Sequence, residues 1–158
     1  MRHAKAERDA KRWEDFDRPL SERGIRDATE MGRWLHDQKF QLDHLIASPA
    51  LRTRDTARRV AEAMEFNGAI EFPQSLYEGA NRAYSAQIAL CPISVATLLI
   101  VGHNPALEQF VERISGEWVT LKTSAVAYLE YAGKDWSEIQ SESLVFVDLW
   151  TPKSIGGE

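Results

Sequence analysis

Apolar residues recur along the chain at two spacings, and the alternation between them predicts the elements. From residue 21 to about 39, Ile25, Ala28, Gly32 and Leu35 fall on one face of a helix, with Ser21 placed to cap its start. Residues 44–47 form a short apolar run closed by Ser48-Pro49, which predicts a strand. Leu51, Ala57, Val60, Ala61 and Met64 then return to helical spacing. Residues 95–101 are apolar apart from Thr97, the pattern of a strand covered on both faces near the centre of a largely parallel sheet. After Asn104-Pro105, Leu107, Phe110, Val111 and Ile114 follow the i, i+3, i+4, i+7 rule of a helix. Residues 125–131 and 144–149 read as further strands, with the turn-prone Ala132-Gly133-Lys134-Asp135 between them. A short strand over 68–72 and a short helix over about 82–90 complete the pattern. Strands alternating with helices predict an α/β sandwich.

Composition narrows the class. The 158 residues suffice for one compact domain, expected over 1–152, with 153–158 read as a flexible tail around Gly156-Gly157. An apolar fraction of 44% with 27% charged residues excludes an intrinsically disordered chain. The single cysteine, Cys91, rules out an intramolecular disulfide and a cysteine-rich zinc cluster, and suits a reducing compartment as a buried, inert thiol. No apolar run approaches the ~20 residues of a membrane span, and the first residues lack a signal-peptide core, so a cytoplasmic protein is expected. A net charge of −5 argues against nucleic acid and acidic membranes as partners. Arg52, Arg54, Arg58 and Arg59 are interleaved with Asp55 and Glu62, which reads as a solvated helix face. Any anion site must therefore be local.

Two joints resemble each other: Ala47-Ser48-Pro49-Ala50-Leu51 and Gly102-His103-Asn104-Pro105-Ala106-Leu107. Each runs from an apolar strand into a helix, with Ser48 and Asn104 expected as N-caps and Pro49 and Pro105 at the first helical position. Both lie at strand carboxyl ends, where open α/β sheets bind ligands. Capping alone would explain them as good helix starts. Arg52 changes the balance, because a cation in the first helical turn is disfavoured by the helix dipole unless an anion is near. A bound phosphate would make that placement favourable. His103 precedes the second joint's cap, whereas His36 and His44 read as packing or surface residues. Arg2-His3 adds a guanidinium and an imidazole on one short segment.

With these residues assembled, the chain resembles the histidine phosphatase, or phosphoglycerate-mutase-like, superfamily, in its short SixA-like phosphohistidine phosphatase branch. The resemblance rests on Arg2-His3-Ala4-Lys5, on Arg18-Pro19-Leu20-Ser21 with Gly24, on Ser48-Pro49 with Arg52 and Thr56-Ala57, on Leu76-Tyr77-Glu78, and on Gly102-His103-Asn104-Pro105. It implies a three-layer α/β sandwich, a mixed, mostly parallel sheet between helices, with the site at the strand carboxyl ends. It also implies an apolar strand leading into Arg2-His3. Only Met1 stands there, so the natural chain is expected to start upstream or several residues to be missing.

Carried over by this resemblance, His3 is the phosphorylated nucleophile, and Arg2, Arg52 and His103 line the phosphate pocket. Glu78 stands at the general acid's position, with a surface glutamate as the plainer reading. Ser124, after Thr123, matches a segment that abuts the phosphate, although a turn before the next strand explains it nearly as well. The chemistry is coherent: guanidinium groups neutralise phosphate oxygens at any working pH. His3 must attack as a neutral imidazole, its other nitrogen held by a backbone carbonyl. Arginines then do the electrostatic work often given to a metal, so no metal and no cofactor is expected. The expected substrate is a phosphorylated protein, carrying phosphohistidine, or a small phosphoester. A phosphate-recognition protein with weak turnover and a sugar or nucleotide phosphatase are the alternatives, and oligomeric state is left open.

Overall fold

The protein is described by a computed structural model covering residues 1–8 and 12–156. Strand β1 (His44–Ala47) pairs in parallel with β2 (Ile70–Glu71) on one side and β3 (Leu98–Val101) on the other, in the register Leu45 to Leu99 and Ala47 to Val101. Beyond β3 the first residues act as a seam. Gly102 N donates to the Met1 carbonyl and His3 N to the Gly102 carbonyl, each at 3.0 Å, while Arg2 N donates to the Ala125 carbonyl at 3.0 Å on the opposite side. That last bond reaches β4 (Val126–Tyr131), which pairs in antiparallel fashion with β5 (Leu144–Trp150) through a bulge at Tyr128 and Leu129. The sheet is thus mixed and mostly parallel, with β3 inside it, as the apolar pattern predicts.

Side chains alternate across a strand, so β1 feeds two cores. Leu45 and Ala47 pack with Met31 and Leu35 of α1 (Glu22–Asp37) and Ala57 and Val60 of α2 (Leu51–Ala63). Ile46 faces the other way, against Tyr84 and Ile88 of α4 (Asn81–Ala89), which follows the single turn α3 (Ser75–Glu78), and against Leu107, Phe110 and Ile114 of α5 (Ala106–Ser115). The three layers follow directly. Burying side chains such as Met31, Leu45, Ile46 and Ile114, none more than 1% exposed, contributes about 1.5–3 kcal/mol each.

Helix α1 starts as its sequence predicts: Ser21 Oγ accepts from Gly24 N at 3.2 Å and donates to the Lys5 carbonyl at 3.0 Å. Gly24 is required there because a Cβ would run into the Lys5 backbone. The helix stops at Asp37 and Lys39 takes a left-handed φ of 66°.

The two joints depart from expectation. Helix α2 begins at Leu51 and α5 at Ala106, and neither has a side-chain cap. Ser48 and Asn104 are not N-caps because their polar groups are used elsewhere: the Asn104 amide donates to Glu108 Oε1 at 2.8 Å and to the Leu121 carbonyl at 2.9 Å, and Ser48 serves His103. Pro49 and Pro105 accordingly precede the helices they were expected to open. Strand β3 begins at Leu98 rather than Val95, since the Asp43 carboxylate takes up the Ala96 and Thr97 amides at 2.9 Å. The expected tail is also corrected in part. Pro152–Ile155 forms a helical turn, α6, with a capping box between Thr151 and Ser154, and Ile155 packs on the α1–α2 core. Residues 157–158 lie outside the described residues. A 3₁₀ turn (Trp136–Glu138) falls between β4 and β5. Cys91 is buried, and burial pushes its thiol up. No helix among the described residues is long and apolar enough to cross a membrane.

Candidate active site

The site forms where β1, β3 and the Met1–His3 seam end side by side. His3 is fixed from three directions: its N–H donates to Gly102, its carbonyl accepts from Ser124 N at 3.2 Å, and the next amide, Ala4 N, donates to Thr56 Oγ1 at 2.9 Å. Thr56 in turn donates to the Arg52 carbonyl at 2.6 Å, tying the seam to α2. Nδ1 of His3 lies 2.7 Å from the Ala4 carbonyl oxygen. A carbonyl only accepts, so Nδ1 carries the proton and Nε2 keeps its lone pair. Burial lowers the His3 pKa to about 3, with His103, Arg52 and Arg2 acting in the same direction and the Ala4 hydrogen bond against them. The ring is a neutral imidazole throughout the physiological range.

His103 faces it, the two ring centroids 5.3 Å apart. Its backbone N–H donates to the buried Tyr84 hydroxyl at 3.1 Å, and Gly102 is glycine because a Cβ there would collide with that tyrosine. Arg52 Nη2 lies 3.3 Å from Nδ1 of His103, and Ser48 Oγ lies 2.7 Å from Nε2. A guanidinium can only donate, so Nδ1 accepts and Nε2 carries the proton toward Ser48. Burial, followed by the charge of Arg52, lowers the His103 pKa to about 4.

Arg52 is 5% exposed, and its outer nitrogens hold Asp15: Nη1 donates to the Asp15 carbonyl at 2.6 Å and Nη2 to Asp15 Oδ2 at 3.1 Å. Burial works against its charge and Asp15 supports it, yet a guanidinium stays protonated. Arg2 Nη1 donates to the Leu121 carbonyl at 2.8 Å. Ser124 is fully buried in a left-handed conformation, φ 63°. Arg2 Nε, Arg52 Nε and Ser124 Oγ are buried with no hydrogen-bond partner among the described residues. Unsatisfied buried donors of this kind cost about 1–3 kcal/mol each.

The structure therefore brings together His3, His103 and Arg52, and sets Arg2 and Ser124 on the segments that flank His3. Glu78 is not brought in: it is exposed at the end of α3, its carboxylate accepts from Gln74 Nε2 at 2.8 Å, and it makes no hydrogen bond or ion pair to His3, His103 or Arg52. Sequence reasoning missed Asp15, Tyr77 and Tyr84 and misread Ser48. The only local signals were the Asp15 to Arg18 spacing and a polar residue ending an apolar strand. Among the described residues no group of three or more His, Cys, Asp or Glu side chains is placed to share a metal ion.

A half-buried imidazole pair and a buried arginine thus lie together at the carboxyl edge of a three-layer α/β sheet. Residues 1–87 match the family model of the histidine phosphatase superfamily (branch 1), and the chain belongs to that superfamily. The phosphohistidine phosphatase SixA of Escherichia coli is 32% identical over 131 residues, 80% of each chain. An uncharacterized protein of Mycobacterium tuberculosis is 32% identical over 150 residues, 88% of this chain and 92% of that one. A structure of the protein histidine phosphatase SixA complexed with tungstate superposes with a TM-score of 0.85 at 28% identity, covering 98% of this chain and 96% of that one. The fold extends to a phosphoglycerate mutase of Bacillus anthracis at a TM-score of 0.67 and 14% identity, covering 98% of this chain and 92% of that one. Phosphatase function follows from this membership and from the likeness to SixA.

Proposed function

We propose that the protein hydrolyses phosphohistidine on proteins through a covalent phosphoryl intermediate on Nε2 of His3. The observation that carries this reading is a lone pair on Nε2 of His3, left free by the Ala4 contact, on a ring that faces His103, which in turn touches the Arg52 guanidinium. The guanidinium groups of Arg52 and Arg2 take the phosphoryl oxygens, and the imidazole attacks phosphorus in line. His3 is uncharged before attack, so no proton need be removed to make it a nucleophile. Water then attacks phosphorus on the same cradle: the P–N bond breaks, His3 leaves as the neutral imidazole because Nδ1 keeps its proton, and the proton of the water goes to the released phosphate.

The leaving group is argued from what surrounds the site. Glu78 is engaged with Gln74, and Asp15 is held ionised: burial raises its pKa, but Arg52, Arg18 and Tyr77 outweigh that and bring it below the ordinary carboxylate value. An ionised Asp15 is no proton donor, and Glu78 makes no hydrogen bond to His3, His103 or Arg52. A substrate whose leaving group departs without a strong acid fits such a site, and the imidazole of phosphohistidine is one. An alkyl phosphate, which needs its oxygen protonated, fits less well.

Rapid-quench trapping tests the reading. Acid-labile, base-stable phosphate should appear on His3 within a turnover, and hydrolysis of a phosphohistidine protein should outpace that of sugar phosphates and nucleotides. A chain that binds phosphate yet never carries label on His3 would be a recognition protein instead.

A further inference from the structure

We propose that Asp15 is a positioning residue that holds the Arg52 guanidinium in the orientation needed for the phosphoryl group. The inference rests on the reading of Arg52 as a phosphate ligand. Asp15 grips Arg52 at two points, its backbone carbonyl on Nη1 at 2.6 Å and Oδ2 on Nη2 at 3.1 Å. One residue thereby fixes both the position and the plane of a fork-shaped cation, and the nitrogen left without a partner is Nε.

Asp15 is itself over-determined. Its Oδ1 accepts from Arg18 Nε at 3.1 Å and Nη2 at 2.8 Å, and its Oδ2 also accepts from the Tyr77 hydroxyl at 3.1 Å. Arg18 is anchored on the Glu7 carbonyl at 3.2 Å. The neighbouring Phe16 carbonyl accepts from Leu51 N at 2.9 Å, pinning the loop to α2 one residue before Arg52. The Phe16 ring packs edge-on against Tyr77, centroids 4.9 Å apart, and Tyr77 approaches His103 at 5.9 Å. Both carboxylate oxygens of Asp15 are thus spent on orienting groups around the site.

Stability does not account for this investment. The Asp15 side chain is 56% exposed, and pairs with an exposed member contribute about 0–1 kcal/mol. The buried end is the Arg52 side chain, 7% exposed, where misorientation would leave a desolvated cation aimed wrongly. Placement errors of about 1 Å cost on the order of 10²-fold in rate. Partial retention of the backbone grip makes the expected loss smaller.

The test is a double-mutant cycle on the full chain, using Asp15→Asn, Arg52→Ala and their combination. The readouts are kcat and KM for an aryl phosphate and the affinity for inorganic phosphate by calorimetry. Asp15→Asn is isosteric and should lower kcat/KM about tenfold and weaken phosphate binding, while leaving the thermal midpoint nearly unchanged. In the Arg52→Ala background the same change should have less than a twofold effect. Tighter phosphate binding by Asp15→Asn would show a carboxylate competing with phosphate, and an undiminished effect without Arg52 would show a loop-structural role; each overturns the proposal. Wild-type protein that binds no phosphate would instead overturn the reading of the site, a failure recognisable before any Asp15 variant is made.

Discussion

Nε2 of His103 lies 2.7 Å from Oγ of Ser48, so the serine that follows β1 receives the ring proton that the Arg52 guanidinium, by occupying Nδ1, leaves on Nε2. The strands pair Ala47 with Val101, so Ser48, one residue past β1, meets His103, two residues past β3. Ser48→Ala removes that partner and leaves the ring held from the Arg52 side alone. One hydrogen bond of this kind contributes about 1 kcal/mol, so kcat/KM for an aryl phosphate should fall about fivefold. Steady-state kinetics checks it, and unchanged constants would reduce Ser48 to packing.

Removing the nucleophile should remove turnover altogether. His3→Ala is expected to abolish aryl phosphate hydrolysis and all labelling. Arg52→Ala should cost at least about a hundredfold, similar to the loss of one preorganised oxyanion donor. Arg52→Lys should restore little, because the single nitrogen of an ammonium cannot reproduce the planar fork whose separate nitrogens reach the Asp15 carbonyl and carboxylate. Single-turnover rates across the three variants decide this.

Stability should fall on acidification, with a sign set by two histidines. His3 is lowered to about 3 and His103 to about 4, whereas the unfolded chain protonates both near 6.5. Between those values the unfolded state binds more protons, so this contribution is complete above about pH 6.5 and is lost as pH falls toward 4 and then 3. Urea midpoints measured from pH 7 to pH 4 should decline, and the slope should flatten in a His3→Ala, His103→Ala double variant. An identical slope would mean that both rings are solvated.

Gly102→Ala should damage structure and activity together. Its Cβ would meet the Tyr84 ring and hydroxyl, and that hydroxyl accepts from His103 N. Overpacking of a buried site costs about 1–3 kcal/mol, and displaced His103 would lower kcat besides. Adding Tyr84→Phe should recover part of the stability and little of the activity. Thermal melts and kinetics on the pair separate the two effects.

The elements and the site differ in how far they could be read from the residues in order. Periodicity located α1, α2, α5, β1 and both strands of the β4–β5 hairpin, because apolar spacing records which side of an element is buried, and that is local information. The joints after β1 and β3 were recognisable as places for chemistry, since Arg52 is a poor choice for a first helical turn and a good one beside an anion. The two-residue β2 and the single turn α3 are too short for any period to mark firmly.

Partner choice was another matter. Ser48 and Asn104 are favourable caps by composition, yet the first bonds a histidine 55 positions away and the second a carbonyl 17 positions away. Glu78 occupies a motif position and faces Gln74. Asp15 carries only its spacing from Arg18 as a local mark and meets Arg52 across 37 positions.

By itself, then, the order of residues determined the layers and singled out the candidate groups: an arginine–histidine start, a cation in a helix's first turn, a histidine after a buried strand. Tertiary structure alone decided which nitrogen of each ring carries its proton, which donors are left without acceptors, and which carboxylate stands beside the site. The physical reason is range. Burial pattern is imposed on neighbours along the chain, whereas a hydrogen bond of about 3 Å is satisfied only by whichever group the packed layers bring within reach.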